Sequence, residues 1–164
     1  MFKGKTAIAT GAASGMGLVF SQKFASLGGN VLMCDVNEKT LNEKVNEINE
    51  KGEGKAVAAI CDVRDYSAVC AARDKAVSEF GSIDILVNFA GGTARRILKV
   101  GWEADFPDVP IDVFDWGLDV NLKGPFYFAH AVLKQMRTQN SGLIVNIGSI
   151  TGAEGSGQGM DYST

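Results

Sequence analysis

The stretch Thr10-Gly11-Ala12-Ala13-Ser14-Gly15-Met16-Gly17 carries the residue types and spacing that point most directly to chemistry. It follows a short apolar run, Thr6-Ala7-Ile8-Ala9, and opens into residues 18–25, whose apolar positions have helical spacing. A buried strand that passes through a glycine-rich turn into a helix makes an anion site. Unpaired backbone N–H groups and the positive end of the helix dipole converge there on one spot. Gly11 allows the tight turn, Gly15 a close approach of backbone to a pyrophosphate, and Gly17 close packing of helix on strand. Ser14 and Met16, inside the turn, join them as candidate cofactor contacts. Alone, the pattern also describes a strand-to-helix turn that binds nothing.

Other residues with nucleotide chemistry stand after later apolar runs. Asp35 closes Val31-Leu32-Met33-Cys34 and lies 18 residues beyond Gly17. That is about the spacing at which a carboxylate accepts both hydroxyls of an adenosine ribose. An acid there repels a 2′-phosphate, and no Arg or Lys in the glycine turn or directly after Asp35 offsets it, which favours NAD over NADP. Asp62, after the run Ala56–Cys61, is placed for an adenine amino group, with Val63 against the ring. Asn88, Ala90 and Gly91 close a further run, where a glycine turn lets backbone lie against the second ribose. Each Asp read singly is equally a helix-cap or turn residue. These features suit a hydride-transfer enzyme and also an S-adenosylmethionine methyltransferase.

Positioning such residues requires a particular frame. Strands are expected over residues 5–10, 30–34, 55–61, 83–88 and 143–147. Helices are expected over 15–28, 38–51, 66–80 and about 112–139, with an irregular loop over 93–110. The strands are nearly continuous apolar runs, as in strands covered on both faces. Five alternations of strand and helix predict an α/β fold: a doubly wound, Rossmann-type parallel sheet in the order 3-2-1-4-5 with helices on both faces. Ligands of such sheets bind beyond the carboxyl ends of the strands.

The 164 residues fit one domain, with 46% hydrophobic residues and 20 glycines. A net charge of −3 without a basic tract argues against nucleic acid as a partner. No apolar run approaches the roughly 20 residues of a membrane helix, and Met1–Lys5 leads straight into a strand, so a cytoplasmic protein is expected. His130 alone builds no His-rich metal site, and Cys34, Cys61 and Cys70 read as reduced thiols. Arg95 and Arg96 in the loop read as solvated side chains or as contacts for an anionic substrate group.

Together, Thr10-Gly11-x-x-x-Gly15-x-Gly17, Asp62-Val63, Asn88-x-Ala90-Gly91, Asn121, Ser149 and Tyr162 resemble the short-chain dehydrogenase/reductase family, in the right order over essentially the whole chain. The resemblance implies NAD as cofactor and an alcohol or carbonyl compound as substrate. It implies Tyr162 as general acid/base and cofactor contact, Ser149 as the residue that holds the substrate oxygen, and Asn121 as part of a water-borne proton relay. It disfavours the methyltransferase reading, and retention of Ser149, Tyr162 and Asn121 disfavours a nucleotide sensor without catalysis.

A tyrosine of ordinary pKa, about 10, is a poor base near neutrality and needs a cation beside it. In the family that cation is a lysine four residues later, which here would be residue 166, past Thr164. The chain therefore reads as the N-terminal part of a longer enzyme, inactive or nearly so by itself. The 112–139 helix carries Leu118, Leu122, Phe126, Phe128, Ala129 and Leu133 on more than one face. The resemblance implies a homo-oligomer, dimer or tetramer, through this helix, with His130 as an interface or surface residue.

Overall fold

The structure, a computed structural model, describes residues 1–94, 99, 104–155 and 160–163. Strands β1 (Thr6–Thr10), β2 (Asn30–Asp35), β3 (Ala56–Ile60), β4 (Ile85–Asn88) and β5 (Leu143–Asn146) form one parallel sheet. Their order is β3-β2-β1-β4-β5, as expected from the sequence. Alternate residues of each central strand enter different cores. Ile8, Leu32, Cys34 and Leu86 face one side, and Ala7, Ala9, Val31 and Met33 face the other.

Helices α1 (Gly15–Ser26) and α2 (Glu38–Asn49) cover the second side with Phe24, Leu41, Val45 and Ile48. The first side is covered by α3 (Tyr66–Phe80), with Val69, Ala72 and Ala76, and by a long helix from Ile111 to Gln139, with Phe128, Ala131 and Val132. Side-chain caps start two of these helices: Asn37 accepts from the Thr40 amide, and Asp65 from those of Ser67 and Ala68.

The long helix differs from the uniform helix read in the sequence. It is α4 (Ile111–Leu118), a π-helical segment Asp119–Lys123, and α5 (Gly124–Gln139). Such insertions shift the register of every side chain that follows. Phe128 is buried, whereas Leu118, Leu122, Phe126 and Leu133 are exposed, so the second apolar face read in the sequence is there. Edge strand β5 is also largely exposed.

Two further elements have no strong sequence periodicity: α6 (Thr151–Glu154) and α7 (Met160–Ser163). Among the described residues of the irregular loop there is a 3₁₀ turn, Phe106–Asp108, while Arg95, Arg96 and Trp102 lie outside the described residues. Among the described residues no helix is long and apolar enough to cross a membrane.

The amino ends of the sheet are closed by polar ties, leaving the carboxyl ends open. Asp84 accepts from Lys5 Nζ at 2.7 Å, the Thr6 amide at 2.9 Å and Ser82 Oγ at 3.1 Å. Gln139 pairs with both backbone groups of Ile83, fastening the end of α5 to the approach to β4.

Candidate functional site

A cavity of about 700 Å³ opens over the carboxyl ends of β1–β4. Its wall includes Gly11, Ser14, Gly15, Met16 and Gly17 from the turn, Asp35 from β2, Asp62 and Val63 after β3, and Ala90 and Gly91 after β4. Ten of the expected cofactor contacts are therefore gathered around one space. Asn88, Asn121, Ser149 and Tyr162 are not on that wall.

The turn has its shape for two physical reasons. Gly11 has φ +62°, and a Cβ there would stand 2.9 Å from Ala90 Cα, so the position excludes a side chain twice over. A Cβ on Gly17 would stand 2.4 Å from the Gly11 carbonyl oxygen, so this glycine packs α1 against the turn itself rather than against the strand. Ser14 caps α1 without a side-chain hydrogen bond, and the first amides of a helix have no intrahelical acceptor. A Cβ on Gly15 would meet nothing within 4 Å, so the space over this helix end is open to an anion.

Asp35 reaches the turn from the neighbouring strand. Its Oδ2 accepts from the Ala13 amide at 3.0 Å and its Oδ1 from the Asn37 amide at 2.9 Å. The carboxylate is thereby held in place at the cavity wall, and an ionised carboxylate has about four acceptor positions, so capacity for ribose hydroxyls remains. Asp62 is paired with Arg64, whose Nη2 lies 2.6 Å from Oδ2. The hydrogen bonds from Arg64 hold the Asp62 carboxyl below the usual carboxylate range. Cys61 lies beside it, with its thiol pushed up to about 12 by burial and by the charges of Asp62 and Asp65. The thiol is therefore a protonated part of the wall near neutrality.

Behind the wall, polar side chains fix the loop after β4. Thr10 is 1% exposed, and its Oγ1 accepts from the amides of Phe89 and Ala90 at 3.1 and 3.0 Å. Asn121, in the π-helical segment, accepts from the Gly92 amide and donates to the Gly92 carbonyl, both at 2.9 Å. Asn88 donates to Asn146 Oδ1 at 2.8 Å, joining β4 to β5.

Ser149 follows β5 and is exposed; its Oγ accepts from Thr151 Oγ1 at 2.9 Å. Tyr162, on α7, is 40% exposed. Helix α7 packs beside α4 and α6, but no hydrogen bond joins Tyr162 to Ser149 among the described residues. His130 is an exposed residue of α5 bonded to Tyr66 Oη, away from the cavity.

The sequence reading missed several site residues. Thr10 stood in the turn motif with no role of its own. Arg64, Trp116 and Val120 also line the cavity, and no local pattern marks them. Among the described residues no cluster of His, Cys, Asp or Glu suits a metal ion.

Known proteins resemble this chain in both frame and sequence. Oxidoreductase UcpA of Escherichia coli K12 is 36% identical over 149 residues, or 91% of this chain and 53% of that protein. The structure of an NAD⁺-bound xylitol dehydrogenase superposes with a TM-score of 0.88 at 35% identity, over 99% of this chain and 59% of that one. A 7α-hydroxysteroid dehydrogenase complexed with NADH and 7-oxo glycochenodeoxycholic acid gives 0.84 at 32% identity, over 99% and 59%. The chain thus spans somewhat more than half the length of these relatives. The profile described as short chain dehydrogenase matches residues 5–164, and with it the parallel sheet, the glycine turn and the strand-end residues place this chain in the short-chain dehydrogenase family.

Proposed function

We propose that this chain is the cofactor-binding part of an oxidoreductase that moves a hydride between NAD(H) and an alcohol or ketone. The observation that supports this best is the single cavity that holds the α1 amino end, Asp35 and Asp62 together. Its stations match a dinucleotide in order. The amides of Gly15, Met16 and Gly17 take the pyrophosphate, Asp35 the adenosine ribose hydroxyls, Asp62 and Val63 the adenine, and Ala90 and Gly91 the second ribose. Asn88 supports that last strand end from below. The carboxylate of Asp35 favours NAD over NADP, because a 2′-phosphate would bring two negative groups together.

When bound, the cofactor supplies the carbon that accepts or donates hydride. In this reading Ser149 donates a hydrogen bond to the substrate oxygen and stabilises the charge that develops there. Tyr162 gives that oxygen a proton on reduction or takes one on oxidation, and contacts the cofactor. Asn121 holds the Gly92 backbone beside the nicotinamide end and supports the proton relay. Tyr162 needs a cationic neighbour for this work, which the resemblance places at residue 166. Residues 1–164 alone are therefore expected to bind cofactor and to be inactive or nearly so. The exposed Leu122, Phe126 and Leu133 support a homo-oligomer, dimer or tetramer, through the long helix from Ile111 to Gln139, and the location we propose is cytoplasmic.

A fluorescence titration with NADH tests the first half of this reading, and an NAD⁺-reduction assay on the full-length gene product, with polyols and hydroxysteroids as substrates, tests the second. Absence of NADH binding would overturn the cofactor assignment. Binding without turnover across both substrate classes would favour a second reading, a non-catalytic NAD-binding or sensing protein. That reading draws on the exposure of Ser149 and Tyr162.

A further inference from the structure

Arg64 grips Asp62 more completely than a surface ion pair requires. Asp62 Oδ1 accepts from the Arg64 amide at 3.0 Å and from its Nε at 3.0 Å. Oδ2 accepts from Nη2 at 2.6 Å and from the same Nε at 3.1 Å. One residue thus engages both oxygens of the carboxylate. Arg64 lines the cavity together with Asp62. The pair is well exposed, with side-chain exposures of 43% and 35%, and as a source of stability it is worth little. Its place in the cavity points to another use.

We propose that Arg64 is a positioning residue for nucleotide-base recognition: its fork holds the Asp62 carboxylate in the orientation that accepts the 6-amino group of adenine. This rests on the NAD reading above. The physical reason is preorganisation. A half-exposed aspartate samples several rotamers, and a ligand that uses one of them must immobilise it. The planar fork makes that selection before the ligand arrives, and since only three N–H groups (the Arg64 amide, Nε and Nη2) engage the carboxylate, about one of its roughly four acceptor positions is left for a further donor. A base with a 6-oxo group presents an acceptor to the same carboxylate and is rejected.

The test compares NADH with its deamino analogue, in which hypoxanthine replaces adenine, by fluorescence titration of the wild-type protein and two variants. A charge-assisted hydrogen bond to the amino group gives the wild type about a tenfold preference for NADH. Arg64→Ala is expected to weaken NADH binding by about two- to tenfold, the effect of releasing one side chain, while affinity for the deamino analogue changes less than about twofold on the same grounds. Arg64→Lys keeps the charge and loses the fork, so it is expected to behave like Arg64→Ala.

The inference is overturned by an unchanged preference in Arg64→Ala, by equal weakening toward both ligands, by tighter NADH binding, or by full recovery with Lys. A wild type that binds NADH without preferring it also overturns the inference and leaves the cofactor reading intact. A wild type that binds neither ligand defeats the cofactor reading and this inference with it.

Discussion

Replacing Thr10 with valine separates a hydrogen bond from the volume that carries it. The two side chains have nearly the same shape, and Thr10 is 1% exposed at the end of β1, the most buried strand. Its Oγ1 is the acceptor for two amides, those of Phe89 and Ala90, 79 and 80 residues away in sequence. Valine leaves both N–H groups without that acceptor. A fully buried orphan donor costs about 1–3 kcal/mol, but Phe89 and Ala90 are half-buried and water reaches them in part, so the expected loss is about 2–3 kcal/mol in total.

The assay is urea unfolding followed by tryptophan fluorescence, read as a change in midpoint at constant slope. Thr10→Ser is the control. It keeps the acceptor and removes one methyl group, at a cost of about 1 kcal/mol. Valine is therefore expected to be the more destabilising change, and to weaken NADH binding as well, because the loop bearing Ala90 and Gly91 is released. A valine variant as stable as wild type, or a serine variant that loses more than the valine one, refutes the reasoning, since packing rather than hydrogen bonding would then hold the loop.

Three more outcomes can be checked with the same protein. Gly17→Ala is expected to lower NADH affinity by about five- to 150-fold in titration, because an over-packing strain of about 1–3 kcal/mol moves the Gly11 carbonyl and with it the turn. Asp35→Ala should weaken NADH binding and improve NADPH binding, narrowing the gap between them by about tenfold or more on the scale of a charged contact; an unchanged ratio would place the ribose elsewhere. Asp84 predicts a pH dependence at the opposite end of the sheet. Burial raises its pKa, but hydrogen bonds from Lys5, Thr6 and Ser82 and the Lys5 charge outweigh burial and leave it lowered. A group lowered by folding contributes stability that is present above its unfolded value, about 4, and is lost as pH falls through the folded one. The urea midpoint should therefore fall more steeply with acid in wild type than in Asp84→Asn.

Short-range pattern made much of this protein legible from sequence. The apolar runs and the glycines between them mark five strands in their true order, because a strand buried on both faces must be apolar throughout and right-handed crossovers leave few arrangements. The glycine turn and Asp35 were equally plain, since a left-handed backbone at Gly11 and a carboxylate at a strand end are local requirements.

What only the tertiary structure decided are contacts between residues far apart in the chain. Thr10 was visible as part of a motif, but its role depends on β4 lying beside β1. Asn121 is singled out in the sequence only by the resemblance, and its contact with the Gly92 backbone depends on the π-helical segment that carries it. Trp116 and Val120 become cavity walls only because the long helix crosses the first side of the sheet. Arg64 shows the same division within three residues: its spacing from Asp62 is local, but its place in the wall of a shared cavity is not. Periodicity reports which face of an element is apolar; which distant groups meet there is set by packing, and no single segment of sequence contains it.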